Sequence, residues 1–165
     1  MIPEGVDIDD LSLQLAEDSV AFDAVAPAER IDSLEPGLID AVTHAGDSGF
    51  GSLGVVVLTH TPAHTPDLRD VAQDLLLGTD LETVIVRAPG SGAMVSEVHS
   101  RGALESAQHP FLANPDVVGG VFGVIDDVNG WSTNWPFALA AMVAALAVLV
   151  LATGWSAWKK SSRRA

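Results

Sequence analysis

Hydrophobic and polar residues follow helical and strand-like spacings in turn along the first part of the chain. Apolar side chains recur at helical intervals on both sides of Pro36, which predicts one helix near 28–34 and another over 36–45, because proline interrupts a helix. A short helix is predicted at 9–17, where acidic residues occupy the first turn. The mostly apolar residues 19–25 predict a short strand.

A strand–helix–strand pattern follows. The continuous apolar run at 53–59, LGVVVLT, is typical of a strand that is buried on both faces of a sheet. Residues 65–78 carry an apolar stripe at helical spacing, with Thr65 as the expected cap, Pro66 in the first position and Gly78 as the stop. Two parallel strands joined by a helix imply a right-handed crossover.

The next elements predict the edge of the sheet. Residues 82–88 read as a strand, the turn residues PGSG occupy 89–92, and 93–98 returns antiparallel as a hairpin. A short helix is expected at 101–108. Together these elements predict an α/β fold, with a small mixed sheet and flanking helices.

The C-terminal part of the chain changes character. Residues 136–155, PFALAAMVAALAVLVLATGW, contain no charge, and as a helix they would extend roughly 30 Å, the thickness of a bilayer's hydrocarbon core. The sequence therefore predicts one C-terminal transmembrane helix, with the lipid bilayer as a partner. Tryptophans on both sides resemble interfacial belts, and basic residues follow. The predicted membrane anchor comprises Trp131, Trp135, Pro136, Trp155, Trp158, Lys159, Lys160, Arg163 and Arg164.

Four segments describe the expected organisation of the chain. They are an acidic α/β domain over 1–109, a juxtamembrane linker or helix over 110–133, the transmembrane helix over 134–156, and a basic cytoplasmic tail over 157–165. Within the second segment, apolar residues would share one side of a helix that lies against the domain or the bilayer surface. These are Val117, Val121, Val124, Ile125 and Val128.

Charge predicts the orientation of the chain in the cell membrane. All 22 acidic residues and four arginines precede the apolar stretch, which leaves that part with a formal charge of −18, whereas four basic residues follow the stretch. Basic flanks stay in the cytoplasm, so the N-terminal domain is expected to be extracytoplasmic. The start, MIPEGVDIDDL, lacks the basic and apolar parts of a secretory signal. A tail-anchored protein with a cytosolic domain is the alternative. The acidic charge also argues against a nucleic-acid partner.

Two groups of polar residues have spacings that bear on metal binding. The chain has no cysteine. His60 and His64 have a metal-ligand spacing with Asp67 nearby, but Pro62 prevents their alignment on a regular helix, so a solvated loop pair is favoured. The acidic residues at 7–10 are expected to cap a helix rather than bind calcium, because the glycine and closing glutamate of a calcium loop are missing.

Two further groups of polar residues bear on catalysis. Ser91 lies between two glycines but at a hairpin, with Pro89 where a nucleophile elbow needs glycine. Arg101 and Glu105 predict a helical ion pair rather than the lining of a groove with Glu97 and His99. The sequence thus predicts no catalytic residues, metal site or cofactor, and it argues against an enzyme only by that absence.

Residues 53–108 resemble the TPM domain, a membrane-associated module of photosystem-repair proteins and many bacterial envelope proteins. The resemblance rests on LGVVVLT, PDLRDVAQDLLLG, ETVIVRAPGSGAMVSEV and SRGALESAQ in that order. The family's glycine-bearing turn is reduced to Gly102, and its signal sequence is missing. Over nearly its full length the chain resembles small actinobacterial single-span membrane proteins that have an acidic TPM-like domain and are commonly encoded beside cell-wall peptidases.

This resemblance implies a membrane-anchored, non-enzymatic interaction or regulatory module of the bacterial cell envelope. The implied partner is an envelope protein, with cell-wall peptidases as the class that the resemblance suggests. Two alternatives remain open at this point. One is a metal-dependent, phosphatase-like TPM enzyme that uses acidic residues such as Asp67 and Asp70, and the other is an oligomerising structural membrane subunit.

Overall fold

The computed structural model describes the backbone of residues 1–161 and the side chains of residues 1–131 and 139–146. The chain divides into two compact units, Met1–Asn129 and Gly130–Ala165. In chain order the elements are α1 Ile8–Asp18, β1 Val20–Phe22, α2 Ala28–Asp47, β2 Leu53–Val57, α3 Asp67–Gly78, β3 Thr83–Ala88, β4 Ser91–Ser96, α4 Arg101–Ala113 and α5 Val117–Ser161.

The first unit is built on a four-stranded mixed sheet with the strand order β1-β2-β3-β4. The first three strands are parallel and β4 pairs antiparallel with β3. Every residue of β1, β2 and β3 is buried, because helices cover both faces of the sheet. One face packs against α2, α4 and the start of α5, and the other packs against α1 and α3. The predicted mixed sheet with flanking helices is therefore confirmed.

The two crossover connections have opposite hands. The strands β1, β2 and β3 lie side by side in chain order and run parallel. Helix α2 joins β1 to β2 and packs on one face, whereas α3 joins β2 to β3 and packs on the other. The chain moves in the same direction across the sheet from β1 to β2 and from β2 to β3. Two right-handed crossovers in the same direction would place both helices on the same face, so these two connections cannot both be right-handed. One of the two connections therefore departs from the right-handed rule.

Helix α2 corrects the prediction of two helices separated by Pro36. It runs unbroken over Ala28–Asp47 with Pro36 inside it. The apolar stripe outweighs the lost backbone hydrogen bond, since Leu38, Ala41 and Ala45 are fully buried in the core. Burial of the apolar stripe thus offsets the free-energy cost of Pro36, and α2 remains one continuous helix.

The segment after α4 belongs to the core of the first unit. Helix α4 ends at Ala113, beyond the expected end at 108, and α5 begins at Val117 after a turn in which the Asp116 side chain accepts from the Val118 backbone N–H. The helix continues through Gly130 to Ser161. Its buried apolar residues pack against the sheet rather than a bilayer surface. They are Val121, Val124, Ile125 and Val128.

The remaining local predictions agree closely with the structure. Asp7 caps α1 by accepting from the Asp10 backbone N–H, as expected for the acidic residues at 7–10. Helix α3 ends at Gly78 as predicted, but Pro66 rather than Thr65 stands at its cap position. The hairpin strand β4 begins at Ser91, two residues earlier than expected.

A side chain closes the open edge of the sheet at β1. The Gln14 amide donates to the Phe22 carbonyl and accepts from the Phe22 backbone N–H, at 3.1 and 2.9 Å. The amide thus takes the place of a neighbouring strand at the one residue where it acts. A polar residue of α1, on the side facing β1, therefore has a definite structural task.

Candidate functional site

The predicted membrane anchor lies in the second unit. Trp131 is the one anchor residue whose side chain is described. Trp131 is 46 % exposed. Trp135, Pro136, Trp155, Trp158, Lys159 and Lys160 belong to α5, but their side chains lie outside the described ones, and Arg163 and Arg164 lie outside the described residues altogether. Within the part of the chain that is described, no helix is both long enough and apolar enough to cross a membrane. The predicted span at 134–156 falls mostly outside the described side chains.

One stretch of α5 is described and unusual. All eight residues from 139 to 146 are exposed, and all are apolar. Leu139, Met142, Val143 and Leu146 are 42–62 % exposed. Because eight consecutive helical residues cover more than two turns, their side chains point to every side of the helix. This segment therefore offers an apolar surface all round, unlike the one-sided stripe of a helix that packs on a core.

A polar chain of hydrogen bonds joins the carboxyl ends of β1 and β2. Asp23 follows β1, and its Oδ2 accepts from the Thr59 backbone N–H at 2.8 Å and from the Thr59 hydroxyl at 2.7 Å. The Thr59 Oγ1 lies 2.8 Å from His60 Nδ1. The single hydroxyl proton is given to Asp23, so Nδ1 carries the proton that Oγ1 accepts. In the neutral ring Nε2 is then a hydrogen-bond acceptor.

The other oxygen of Asp23 is left unsatisfied. Oδ1 is shielded from solvent and has no hydrogen-bond partner among the described residues. A shielded carboxylate oxygen without a donor costs free energy, so such a group is unusual in a folded domain. The sequence offered one signal for it: Asp23 is the first polar residue after a buried strand. Its pairing with Thr59, 36 residues away, has no local signature.

Arg87 is a second polar group that sequence reasoning missed. It sits on β3 with only 8 % exposure, and its guanidinium donates to the carbonyls of Phe111, Leu112 and Asn114 at 2.9–3.3 Å. The guanidinium carbon also lies 4.9 Å from the centre of the Phe111 ring. Burial lowers the pKa of Arg87 from its ordinary value. Arg87 thus supplies the donors that the end of α4 lacks and fastens that end to the sheet.

The candidate metal ligands do not come together. His60 is held by Thr59 rather than aligned with His64, and the Asp67 backbone N–H bonds to the His64 carbonyl in the turn before α3. Over the described residues, no group of three His, Cys, Asp or Glu side chains could hold a metal ion. The interpretation of His60 and His64 as loop residues fits this geometry.

The groups near the hairpin have structural partners. Ser91 is the first residue of β4 and pairs with Ala88 across the turn. Arg101 Nε donates to Glu105 Oε1 at 2.6 Å, which confirms the predicted ion pair. His99 is held against Phe50: its Nε2 lies 2.7 Å from the Phe50 carbonyl, and the two rings pack at 4.2 Å between centroids.

Comparison with known proteins places this architecture. The whole chain, residues 1–165, matches the model of a family described as "Membrane protein Rv1476". It is 31 % identical to membrane protein Rv1476 of Mycobacterium tuberculosis (strain ATCC 25618 / H37Rv) over 157 residues, which covers 93 % of this chain and 76 % of that protein.

Two solution NMR structures are similar to the fold. One is the N-terminal domain of the cg2496 protein from Corynebacterium glutamicum, with a TM-score of 0.52 and 17 % identity over 70 % of this chain and 80 % of that one. The other is the N-terminal domain of a protein from P. gingivalis, with a TM-score of 0.56 and 14 % identity over 76 % of this chain and 90 % of that one. At such identities the likeness concerns the fold alone.

Proposed function

The chain belongs to the membrane protein Rv1476 family, and from this premise we propose that it is a membrane-anchored, non-enzymatic interaction or regulatory module of the bacterial cell envelope. In this proposal residues 134–156 form a single membrane-spanning helix, residues 157–165 form a cytoplasmic tail, and the first unit is a TPM-like domain outside the cytoplasm. The first unit engages an envelope protein, with cell-wall peptidases as the partner class that the sequence resemblance suggests.

The observation that carries the proposal is the apolar surface of α5 at 139–146. Exposed apolar area costs roughly 25 cal/mol per Å² in water, so a helix with apolar side chains on all sides needs an apolar surrounding. The sequence extends this stretch to the twenty uncharged residues at 136–155, the length that a bilayer requires. A lipid bilayer provides that surrounding, and membership of a membrane protein family agrees with it.

The charges of the first unit favour a basic partner. Of its four arginines, Arg87 is buried against backbone carbonyls, so one of the few positive charges is withdrawn from the surface. The exposed pair of Arg101 and Glu105 leaves the net charge unchanged, and the surface is therefore slightly more acidic than the composition alone suggests. Such a surface repels nucleic acid and anionic lipid headgroups and attracts basic protein surfaces over about 10 Å at physiological salt.

The two alternative functions have less support. A metal-dependent phosphatase needs a set of metal ligands, and none was found over the described residues. Asp67 and Asp70 lie in the first turn of α3, where both contact the chain's amino group. An oligomerising subunit would rest on the small residues of the apolar stretch, which are equally suited to lipid contact.

Cysteine labelling in intact cells tests the anchor and its orientation. Because the chain has no cysteine, Ala24→Cys in the first unit and Ser162→Cys in the tail each create a unique thiol. With a membrane-impermeant maleimide, the thiol at position 24 should react in intact cells, whereas the thiol at 162 should react only after lysis. The reverse pattern would place the first unit in the cytosol and contradict the proposed orientation.

Two further arms separate the anchor from the interaction. The full chain should stay with membranes during alkaline carbonate extraction, whereas a chain without residues 135–165 should be water-soluble and still capture the same envelope protein. Its circular dichroism spectrum should lose helical signal only for the deleted part of α5 and should keep the folded signal of the first unit. If the full chain were freely soluble without detergent, the anchor would be wrong. If the detergent-solubilised chain captured only abundant contaminants, the interaction would be wrong while the anchor stood.

A further inference from the structure

The opposite hands of the two crossovers create a crevice in the first unit. After β1 the chain leaves toward α2 on one face of the sheet, and after β2 it leaves toward α3 on the other. Adjacent parallel strands whose connections leave toward opposite faces of the sheet have a crevice between those connections. Open α/β sheets bind ligands in crevices of this kind, outside the carboxyl ends of the strands. The Asp23–Thr59–His60 chain lies at this place.

A cavity of about 400 Å³ opens at the crevice. Asp23 and Val25 line it from the connection after β1, and Leu58 and the segment 60–63 line it from the connection after β2. The segment 3–6 closes a third side. This volume lies within the range of small-molecule sites in proteins.

The polar groups that line this cavity are mainly hydrogen-bond acceptors. Asp23 and Glu4 contribute carboxylates, and His60 presents Nε2 as an acceptor in the neutral form of the ring, because Nδ1–H is then given to Thr59. Among the described residues that line the cavity, none is Lys or Arg. Asp23 Oδ1 has no donor among the described residues, so the carboxylate keeps one acceptor that its two contacts with Thr59 leave unused.

The apolar part of the lining suits an aliphatic stem. Val25, Leu58, Pro62 and Ala63 supply methyl and methylene surface beside the acceptors. A divalent cation fits less well, because the described residues contain no group of three ligands. A guest that combines several N–H donors, a positive charge and a short methylene chain meets both requirements.

We propose that this cavity binds an alkylammonium group, with the ammonium held by Asp23 and Glu4 and the methylene stem packed on Val25 and Pro62. The same chemistry is presented by a free aliphatic amine and by a lysine side chain of a peptide. The site lies wholly within the first unit, and its argument is independent of the membrane anchor and of the orientation in the membrane.

NMR titration of the full-length, 15N-labelled chain in nonionic detergent tests the site. The probe is n-butylamine at pH 7, and 1-butanol is the control of similar shape without charge. Saturable amide shifts confined to residues 4–6, 23–25 and 58–63 are expected for the amine, with a dissociation constant on the order of millimolar. Equal shifts with 1-butanol, or shifts spread over the acidic surface that sodium chloride reproduces, would overturn the proposal.

Three variants sharpen the result. Asp23→Asn keeps an acceptor for Thr59 but removes the charge, and it should weaken n-butylamine binding about tenfold or more. Ala63→Trp should fill the cavity and abolish n-butylamine binding while both carboxylates remain. It tests the site even if Asp23→Asn fails to fold. The matched control Asp40→Asn removes a charge from the exposed side of α2 and should bind like the parent. If Asp40→Asn weakened n-butylamine binding as much as Asp23→Asn, the effect would come from the net charge of the protein, and the proposed site would be wrong.

A further probe identifies the source of the ammonium. Nα-acetyl-lysinamide carries the same alkylammonium group on a backbone fragment. Binding as tight as that of n-butylamine would support a partner's lysine side chain as the guest, and binding of n-butylamine alone would support a free amine. If neither probe bound, no alkylammonium site would exist, whereas the labelling results for the membrane anchor would be unaffected.

Discussion

Arg87 shows how a single buried charge can stabilise this fold without a carboxylate partner. Its guanidinium serves three carbonyls at the end of α4. Replacing it by methionine keeps most of the apolar stem but leaves those carbonyls without their donors. We expect Arg87→Met to lower the free energy of unfolding by about 2–3 kcal/mol, because hydrogen bonds to a charged group are stronger than neutral ones and orphaned acceptors are costly. Urea unfolding in nonionic detergent, followed by circular dichroism, measures the change.

An exposed arginine provides the control. Arg30 lies in the first turn of α2 and is exposed, so Arg30→Met removes the same charge with a change of no more than about 0.5 kcal/mol. Equal effects of the two substitutions would mean that the loss of positive charge, rather than the carbonyl contacts of Arg87, sets the stability.

At the scale of elements, Pro36 makes a testable contrast between local preference and packing. A proline inside a helix lowers the stability of the helix by about 3 kcal/mol relative to alanine. Because proline also restricts the unfolded chain, it offsets up to about 1 kcal/mol of that loss. Pro36 is exposed within the continuous helix α2. Pro36→Ala should therefore raise the free energy of unfolding by about 1–2 kcal/mol, measured by the same urea titration.

Pro27, directly before α2, serves as the matched position. Its φ of −64° and extended ψ suit proline. Pro27→Ala should therefore lower the free energy of unfolding by up to about 1 kcal/mol, because alanine restricts the unfolded chain less than proline does. If Pro36→Ala destabilised the protein instead, the helix would depend on the proline for its shape, and the reasoning from helix propensity would be wrong.

The same contrast explains which elements could be predicted from the sequence. Strand β2 and helix α3 were recognisable because a continuous apolar run and a helical stripe each have one simple explanation. The break expected at Pro36 was wrong because burial of the α2 stripe depends on a sheet that the local pattern does not contain. The opposite faces of α2 and α3 were also out of reach, since strands that are apolar on both faces do not indicate which helix covers which side.

The candidate sites also differ in whether their residues are contiguous in the sequence or far apart in it. The apolar stretch at 136–155 and its basic flank are contiguous, so the anchor could be proposed from the sequence alone. The pairing of Asp23 with Thr59 depends on β1 lying beside β2, and the pairing of Arg87 with the end of α4 depends on α4 lying against the sheet. Long-range polar contacts of this kind have no periodicity to reveal them.

For the molecule as a whole, the distribution of charge along the chain makes the last prediction. The sequence has no lysine or arginine between Arg101 and Lys159, so the only basic residues close to the proposed span are those of the tail. Basic residues within about 15–20 positions of a span set its orientation, whereas acidic residues contribute little.

Changing Lys159, Lys160, Arg163 and Arg164 to glutamine removes this bias. The variant should insert in both orientations, and the thiol of Ala24→Cys should then react only in part of the molecules in intact cells. A variant that exchanges each lysine for arginine and each arginine for lysine keeps the charge and should label like the parent. Complete labelling of the glutamine variant would show that the folded domain, rather than the basic tail, determines the orientation.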